Sequence, residues 1–249
     1  MLKKLLTSPE LELLNPRFDT QFNNAGLFGQ SDKITNYIHR FKGGELINNE
    51  AELGNSIFVI FEGWVSLFKS LPNGQMQIID FGLPGDHFDL SSADGVTAVI
   101  GLQTITEASV AIIPHDVWAA LVQSSPQLAQ VSEGGAAAIR SRIAERMLRL
   151  GRGTAEERLA YTFLELGVRS GAMQGSRPNS FHLPLTQQQI GDFMGLTSVH
   201  VCRTMRRMVR EGIITTRNHI DIDVLEVATM EEVAGISVET LAQEILLST

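Results

Sequence analysis

The feature that most constrains the fold is a change of pattern near Pro114. Before it, short apolar segments such as Ser56–Phe61 and Trp64–Phe68 are separated by breaks that contain glycine or proline. The sequence LPNG at Leu71–Gly74 supplies a turn, because proline fixes φ and glycine permits positive φ, and Gln75–Phe81 follows as the hairpin partner. Many short strands divided by such turns predict a β-barrel or jelly roll. The other segments predicted as strands are Tyr37–Ile47, Ala98–Thr106 and Ala108–Ile113.

Helical signals dominate after this point. Ser125 and Pro126 place a capping residue before a first-turn proline, which predicts a helix that runs to about Leu150. Its segment GGAAA at 134–138 has small side chains, and each glycine weakens a helix by about 1 kcal/mol relative to alanine. This weakness indicates close approach of a partner helix or a ligand, and the alternative is a break between two shorter helices. A capping box at Thr154 and Glu157 opens the next helix, and residues 171–180 are predicted to form a loop.

Charge is segregated along the 249-residue chain, whose net charge is −8. Residues 1–138 carry a net charge of −8, residues 139–220 a net charge of +7, and residues 221–249 a net charge of −7. A basic block in an otherwise acidic protein is a candidate surface for a polyanion. Helices with solvated arginine faces would give the same pattern, so charge alone leaves both interpretations open.

Composition bears on the other function classes. The single cysteine, Cys202, excludes an intrachain disulfide and a cluster held by four cysteines of one chain. No apolar run reaches the ~18 residues needed to cross a bilayer, and the N-terminus lacks the features of a signal peptide, so we expect a cytoplasmic protein without a membrane partner. The histidines are scattered and form no H-x-H pair, which argues against a cupin-like metal enzyme. We expect no catalytic residue, no metal and no cofactor.

The most specific pattern lies between Thr186 and Gly212. A second capping box at Thr186 and Gln189 opens a short helix that stops at Gly195, and Thr197 caps the next helix. That second helix carries an apolar stripe at Val201, Met205, Met208 and Val209, with arginines largely off the stripe at Arg203, Arg206, Arg207 and Arg210.

This arrangement of two helices around a glycine turn is typical of a helix-turn-helix, whose second helix enters the major groove of double-stranded DNA. A small hairpin is predicted to follow, with strands Ile213–Thr216 and His219–Ile222. The alternative is a helical hairpin packed in a core, with its arginines in water.

Two segments carry a family resemblance. Residues 190–214 (IGDFMGLTSVHVCRTMRRMVREGII) resemble the C-terminal region of the Crp–Fnr family of bacterial transcription regulators. Residues 41–47 (FKGGELI) and 54–86 (GNSIFVIFEGWVSLFKSLPNGQMQIIDFGLPGD) resemble the sensor domain of that family. The resemblance extends over roughly residues 35–225 in the order found in the family.

The resemblance implies an α+β chain with three parts. These are an N-terminal β-roll at 1–120, which is a jelly roll like that of cyclic-nucleotide-binding domains, a dimerisation helix at 121–152, and a winged helix-turn-helix with an acidic helical tail at 153–249. The resemblance also implies a homodimer, formed through about Pro126–Leu150, that reads a near-palindromic operator with half-sites one helical turn apart. A regulator of this kind is further expected to contact RNA polymerase.

The predicted DNA contacts follow from the helix-turn-helix. An arginine can make a bidentate contact to guanine, and Arg203 is expected to read a base in this way, whereas the other arginines suit phosphates. Val199 replaces a glutamate that is common in the family and could touch a thymine methyl group, so the best-known family operators are not transferable. The exposed His200 suits a phosphate, a base or no ligand at all. The full predicted set is Thr186, Gln187, Thr197, Ser198, Val199, His200, Cys202, Arg203, Arg206 and Arg207.

The sensor region also departs from the family pattern. Family members that bind cyclic AMP hold its phosphate with an arginine in the segment that corresponds to Asp86–Ser109, and this segment contains no lysine or arginine here. Asp86, Asp89 and Asp94 would instead oppose a phosphate, because uncompensated like charges are costly. We therefore expect no cyclic-AMP binding. A cyclic-nucleotide effector that uses its C-terminal region for protein contacts is the alternative function that this absence disfavours.

Cys202 suggests a redox hypothesis. It lies one turn from the start of the recognition helix and beside Arg203, and both features favour the thiolate form that oxidants attack. Oxidation would add bulk and charge at the DNA surface and weaken binding. The alternative is that a small cysteine simply fills a position where the family has glycine or serine.

Overall fold

The computed structural model describes residues 34–173, 179–217 and 221–246. Residues 1–33, on which the expectation about a signal peptide rests, lie outside the described residues. The described residues divide into two units, a β-roll unit of residues 34–69 and 81–136 and a helical unit of residues 70–80 and 137–246. The sequence boundaries place residues 70–80 within the β-roll, whereas the packing groups them with the helical unit.

Eight strands form two four-stranded antiparallel sheets, with the orders β1-β8-β3-β6 and β2-β7-β4-β5. This arrangement confirms the predicted jelly roll. The predicted strand Ala98–Thr106 is shortened to Gly101–Thr104, and Tyr37–Ile47 is divided into two strands. The strands are β1 Ile38–Phe41, β2 Leu46–Asn48, β3 Ser56–Glu62, β4 Val65–Ser70, β5 Met76–Gly82, β6 His87–Asp89, β7 Gly101–Thr104 and β8 Ala108–Pro114.

The turn between β4 and β5 forms as its sequence predicts. Leu71 donates its backbone N–H to the carbonyl oxygen of Gln75 at 2.8 Å, and Gly74 donates to Leu71 at 2.9 Å. Gly74 has a φ of +83°, a conformation that glycine adopts without a steric penalty. The hairpin therefore has a defined geometry that continues into residues 76–80 of the helical unit.

Two helices follow the β-roll, α1 (His115–Ser124) and α2 (Pro126–Arg152). The 27-residue α2 is continuous through the glycines, so the alternative of two shorter helices is wrong. Gly135 does permit a close approach, because an added Cβ would lie 2.3 Å from Cε1 of His87. The neighbour is thus a buried imidazole of the β-roll unit, whose ring centroid lies 5.7 Å from that of Trp118.

The helical unit contains helices and one small sheet. The capping box of Thr154 and Glu157 forms as predicted and starts α3. Its remaining helices and strands are α3 Ala155–Arg169, β9 Asn179–His182, α4 Gln187–Met194, α5 Ser198–Arg210, β10 Ile214–Arg217, β11 Asp221–Val224, α6 Val227–Ala234 and α7 Val238–Ile245. Helices α6 and α7, which carry the acidic tail, bury Met230, Ala234, Leu241 and Ile245 and contact α3.

The small sheet corrects two predictions. Part of the predicted loop at 171–180 forms β9, which makes a three-stranded sheet of order β10-β11-β9. The second hairpin strand, predicted at His219–Ile222, continues to Val224 in the described residues, and Arg217 pairs with Asp221. Residues 174–178 and 218–220 lie outside the described residues. No helix among the described residues is long and apolar enough to span a membrane.

Candidate nucleic-acid interface

Helix α4 is defined by its two ends. At its start, Gln189 donates its backbone N–H to Thr186 Oγ1 at 3.1 Å, and Thr186 donates its own to Gln189 Oε1 at 2.8 Å. At its end, Gly195 takes a left-handed φ of +63°. The turn then passes so close to Gly191 that an added Cβ there would lie 2.5 Å from the carbonyl oxygen of Leu196. The sequence therefore fixes both ends of the first helix of the helix-turn-helix.

Helix α5, the recognition helix, separates a buried side from an exposed side. His200 donates its backbone N–H to Thr197 Oγ1 at 3.2 Å, which caps the helix as predicted. Its buried side chains are Val201, Thr204, Met205 and Met208, whereas Val209, predicted for this stripe, is 40% exposed.

The exposed side carries a stripe of four residues spaced at i, i+4, i+7 and i+11, which places them on one line along a helix of 3.6 residues per turn. We call these residues the arginine stripe, and they are Val199, Arg203, Arg206 and Arg210. Val199 is 65% exposed. Of the residues that the structure describes, no carboxylate forms an ion pair with the three arginines of the stripe. Their charge is available to a polyanion.

A groove runs along the arginine stripe and gathers several of the predicted residues. Gln187, Ser198 and Cys202 line it together with the stripe, so α4 contributes its first helical residue to the same surface as α5. Cys202 is half-buried there and is not in a disulfide. The side chains of Thr186 and Thr197 are instead engaged in capping their helices.

Arg207 points away from this groove. Its guanidinium lies 3.1 Å from Glu156 of α3 and 2.9 Å from Glu211. The hydrogen bond to Glu211 and the negative charge of Glu156 raise the pKa of Arg207. Arg210, which is absent from the set of predicted contacts, occupies the stripe instead. A helical projection from Val199 would have separated the two, because Arg210 lies eleven residues on and within about 20° of the same direction.

Among the described residues of the basic block, three arginines are buried in the helical unit. Arg142 donates to Asp80 Oδ2 from Nε at 3.0 Å and from Nη2 at 2.8 Å. Arg146 Nη2 bridges Asp80 and Glu165, at 3.2 Å from each, and Arg169 Nη1 lies 3.0 Å from Glu165 and 3.4 Å from Asp80. We call these five residues the buried charge cluster. The net charge of residues 139–220 therefore overstates the positive charge that is exposed to a polyanion.

The ionisation of Asp80 follows from this cluster. Burial by itself raises the pKa of Asp80, but attraction to Arg142, Arg169 and Arg146 and the hydrogen bond from Arg142 outweigh it. The pKa consequently lies well below its ordinary value, and the carboxylate is charged at neutral pH.

The acidic side chains of the segment Asp86–Ser109 form local hydrogen bonds. Asp86 Oδ2 accepts from the Leu83 backbone at 2.8 Å, and Asp89 Oδ1 accepts from the Ser91 hydroxyl at 2.6 Å. Hydrogen bonds from Ser92 and from the Val96 backbone lower the pKa of Asp94. These carboxylates thus order their own loops. Among the described residues, no group of three or more histidine, cysteine, aspartate or glutamate side chains is placed to hold a metal ion.

Comparison with known proteins finds a matching family model for the N-terminal part of the chain and another for the C-terminal part. Residues 38–125 match the family model of the cyclic nucleotide-binding domain, and residues 157–233 match that of the Crp-like helix-turn-helix domain. The chain is 31% identical over 202 residues to the nitrogen fixation regulation protein FixK of Bradyrhizobium diazoefficiens, covering 78% of this chain and 81% of that protein. The chain belongs to the Crp–Fnr family of transcription regulators.

Other Crp–Fnr proteins extend the comparison. The transcriptional activatory protein AadR of Rhodopseudomonas palustris is 31% identical over 175 residues, which cover 70% of this chain and 72% of that protein. The structure of FixK2 from Bradyrhizobium japonicum matches with a TM-score of 0.69 and 26% identity, over 80% of this chain and 96% of that chain. The predicted family, the fold class and a function in DNA-binding transcription regulation are confirmed.

Proposed function

We propose that this protein acts as a homodimer that reads a near-palindromic operator through the arginine stripe and controls transcription without a cyclic-nucleotide effector. The observation that carries the proposal is the stripe itself, which sets one exposed apolar residue among three arginines without ion pairs to described carboxylates. Such a surface combines sequence-independent attraction to phosphates with side chains that can reach base edges.

Within this surface we assign different tasks to different residues. Arg203 reads a base and Val199 contacts a thymine methyl group, whereas Arg206 and Arg210 bind phosphates. Gln187, Ser198, His200 and Cys202 lie close enough to the stripe to add contacts. The backbone N–H groups after Thr186 and Thr197 suit phosphates, because a helix N-terminus attracts anions. Arg210 takes the place of Arg207 in this assignment.

A second copy of the chain is supported by an apolar surface on α2. Ile143, Met147 and Leu148 are exposed there, and Met147 is 70% exposed. Apolar side chains at such spacings on a long helix are suited to a helix of a partner protomer. In analytical ultracentrifugation, the Met147→Glu variant should sediment as a monomer, whereas the unaltered chain should sediment as a dimer.

The absence of a cyclic-nucleotide effector is supported by charge. No lysine or arginine occurs between Lys69 and Arg140. The side chain of Lys69 donates to the carbonyl oxygen of Val99 and pairs with Glu50 at 3.3 Å, so it already has partners. A cyclic phosphate would therefore meet carboxylates without a free cation of this segment. Calorimetry with cyclic AMP and cyclic GMP should detect no binding.

The cellular setting is also part of the proposal. In this proposal the protein controls transcription by binding, without catalysis, and acts in the bacterial cytoplasm with DNA and RNA polymerase as its partners. Relatives such as AadR and the Anr protein of Pseudomonas aeruginosa are named as transcriptional activators, which supports activation as the direction of control. Transcription from an operator-bearing promoter with purified polymerase should rise when the protein is added.

The test of operator reading starts from random DNA. Sequences bound by the purified chain are selected, and affinities for the selected operator are measured at two salt concentrations, because released counterions make DNA affinity fall steeply with salt. Arg203→Ala should relax the preference at one base position, where a bidentate pair discriminates by about 1–3 kcal/mol. Arg206→Ala should weaken all sequences evenly. An unchanged preference in Arg203→Ala would contradict the assignment.

Redox control through Cys202 stays a separate hypothesis. Its thiol lies in the groove beside Arg203, where added bulk would obstruct DNA. Hydrogen peroxide would oxidise the thiol to a sulfenic acid and be reduced to water. Operator affinity should then fall in the unaltered chain and persist in Cys202→Ser. Equal losses in both proteins would dispose of the hypothesis.

A further inference from the structure

The end of α4 is held by groups from three different places in the helical unit. A helix leaves its last four carbonyl oxygens without partners inside the helix. The carbonyl oxygen of Gly191 accepts hydrogen bonds from the backbone N–H groups of Gly195 and Leu196. The carbonyl oxygen of Met194 accepts a hydrogen bond from Arg158 Nη1 at 3.0 Å. The two carbonyl oxygens between them remain to be satisfied.

Gln77 satisfies both of these remaining groups. Its side-chain amide Nε2 donates to the carbonyl oxygens of Asp192 and of Phe193, the latter at 3.1 Å. The same nitrogen lies 3.1 Å from the carbonyl oxygen of Ile78, so the amide is held against its own strand as well. Gln77 belongs to β5 and lies 115 residues before Asp192 in the chain. A side chain of the β4–β5 hairpin thus completes the end of the first helix of the helix-turn-helix.

Within the helical unit, residues 77–80 of β5 make a second set of contacts. Asp80 lies three residues after Gln77 and is 1% exposed within the buried charge cluster. Arg146 of that cluster also places its guanidinium 4.0 Å from the centre of the Phe193 ring. Phe193 is therefore held at its carbonyl group by Gln77 and at its ring by Arg146. The two contacts leave the last turn of α4 little freedom to shift relative to β5.

The position of this turn matters for α5. Only Gly195 and Leu196 separate α4 from Thr197, the residue that caps the recognition helix. Gly191 packs against this connection too closely to admit a Cβ. A displacement of the end of α4 is consequently passed to the start of α5, where Val199 and the first arginine of the stripe lie.

We propose that Gln77 is a positioning residue for operator reading, which holds the end of α4 so that α5 presents the arginine stripe at the angle that the operator requires. The proposal rests on the proposed reading of DNA through that stripe. Gln77 touches no DNA in this scheme and acts through Asp192 and Phe193. It makes the β4–β5 hairpin part of the DNA-reading apparatus, although its sequence lies within the region that resembles the sensor.

The test compares specific with non-specific binding. Affinities of the unaltered chain and its variants for the selected operator and for a scrambled duplex of equal length are measured by fluorescence anisotropy. Gln77→Ala should weaken operator binding about three- to ten-fold, the usual contribution of one hydrogen-bonding side chain, and leave scrambled DNA within about two-fold. Gln77→Glu should lose more, because a carboxylate cannot donate and is repelled by the carbonyl end of a helix.

Two variants serve as controls. Gln75→Ala alters an exposed side chain of the same hairpin, which accepts a hydrogen bond from Asn73 Nδ2 at 3.0 Å, and it should bind like the unaltered chain. Gln77→Lys keeps a donor and a charge that suits a helix C-terminus, and it should restore operator affinity to within about two-fold. Urea unfolding of each variant shows whether the fold is retained.

The outcomes separate this inference from the proposed function. A fall in the ratio of operator to scrambled affinity for Gln77→Ala, with rescue in Gln77→Lys, supports it. Parallel losses on both duplexes, or a change no larger than that of Gln75→Ala, overturn it while leaving operator reading intact. An unaltered chain with no operator preference at all overturns the proposed function and this inference with it.

Discussion

Replacement of Asp80 by asparagine should destabilise the helical unit strongly. Asparagine keeps the volume of the side chain but removes its charge, so the buried guanidinium groups of Arg142, Arg146 and Arg169 lose a carboxylate that all three contact. Removal of one partner from a buried ion network costs about 3–5 kcal/mol, because the charges left behind stay desolvated. Whole domains are stable by only about 5–15 kcal/mol, so Asp80→Asn should lose a large share of that free energy.

Urea unfolding followed by helical circular dichroism measures this loss. Both tryptophans, Trp64 and Trp118, belong to the β-roll unit, so their fluorescence reports on a different part of the chain. The matched control is Asp223→Asn, which breaks a pair with Arg217 at 3.0 Å whose guanidinium side is largely exposed. An exposed pair contributes about 0–1 kcal/mol. If Asp80→Asn lowers the free energy of unfolding no more than Asp223→Asn, the buried charge cluster does not stabilise the helical unit as its geometry indicates.

The dependence on pH gives a second check on the same residue. The pKa of Asp80 is lower in the folded chain than in the unfolded chain, where the pKa of an aspartate is about 3.9. The stability that its charge contributes is therefore complete above about pH 5 and is lost as the pH falls toward the folded-state pKa. The difference between the unaltered chain and Asp80→Asn should stay constant from pH 7 to 5 and narrow in more acidic solution. A difference that widens on acidification would refute the assignment of charge.

Two further pairs of variants test the surface and the long helix. Arg210→Ala should lower the affinity for all DNA and reduce the slope of log affinity against log salt by about one unit. Arg207→Ala should change the affinity and the slope little, because Glu156 already pairs with Arg207. Fluorescence anisotropy at salt concentrations between about 50 and 200 mM measures both, and a larger effect at Arg207 would contradict the assignment of the stripe. Gly135→Ala should destabilise the β-roll unit, since overpacking costs about 1–3 kcal/mol and the gain in helix propensity is only about 1 kcal/mol. Gly151→Ala should stabilise α2, because there is open space around Gly151. Shifts of the unfolding midpoint in the same direction for both variants would contradict this reasoning.

The sequence predicts those parts of the fold that depend on neighbouring residues. The two capping boxes, the LPNG turn and the left-handed Gly195 form because each needs only side chains within a few positions of one another. Strand β9 was not predicted, because its pairing partner β11 follows some forty residues later and no local signal marks it. Patterns of short range are thus read well, and pairing across long separations is not.

The charges show the same limit. Counting arginines indicates a basic block but does not tell Arg142, buried against Asp80, from Arg203, exposed on the stripe. The partner of Arg142 lies 62 residues away in a hairpin that resembles part of a sensor. Helical spacing does carry the missing information for α5, where it separates Arg210 from Arg207. Gln77 is a residue that sequence reasoning could not find, because the groups that it contacts lie more than a hundred positions away.

In the proposed reading of DNA, the length of the arginine stripe limits the number of base pairs that α5 can reach in one half-site. Val199 and Arg210 are eleven residues apart, so the stripe extends about 16 Å along the axis of α5 at 1.5 Å per residue. Base pairs of DNA are spaced by about 3.4 Å, and the stripe therefore spans at most about five of them. Conserved operator positions beyond five base pairs in either half-site would lie outside the reach of this helix. Selection at those positions would have to come from residues outside the stripe, such as Gln187, or from the bending and groove width of the DNA.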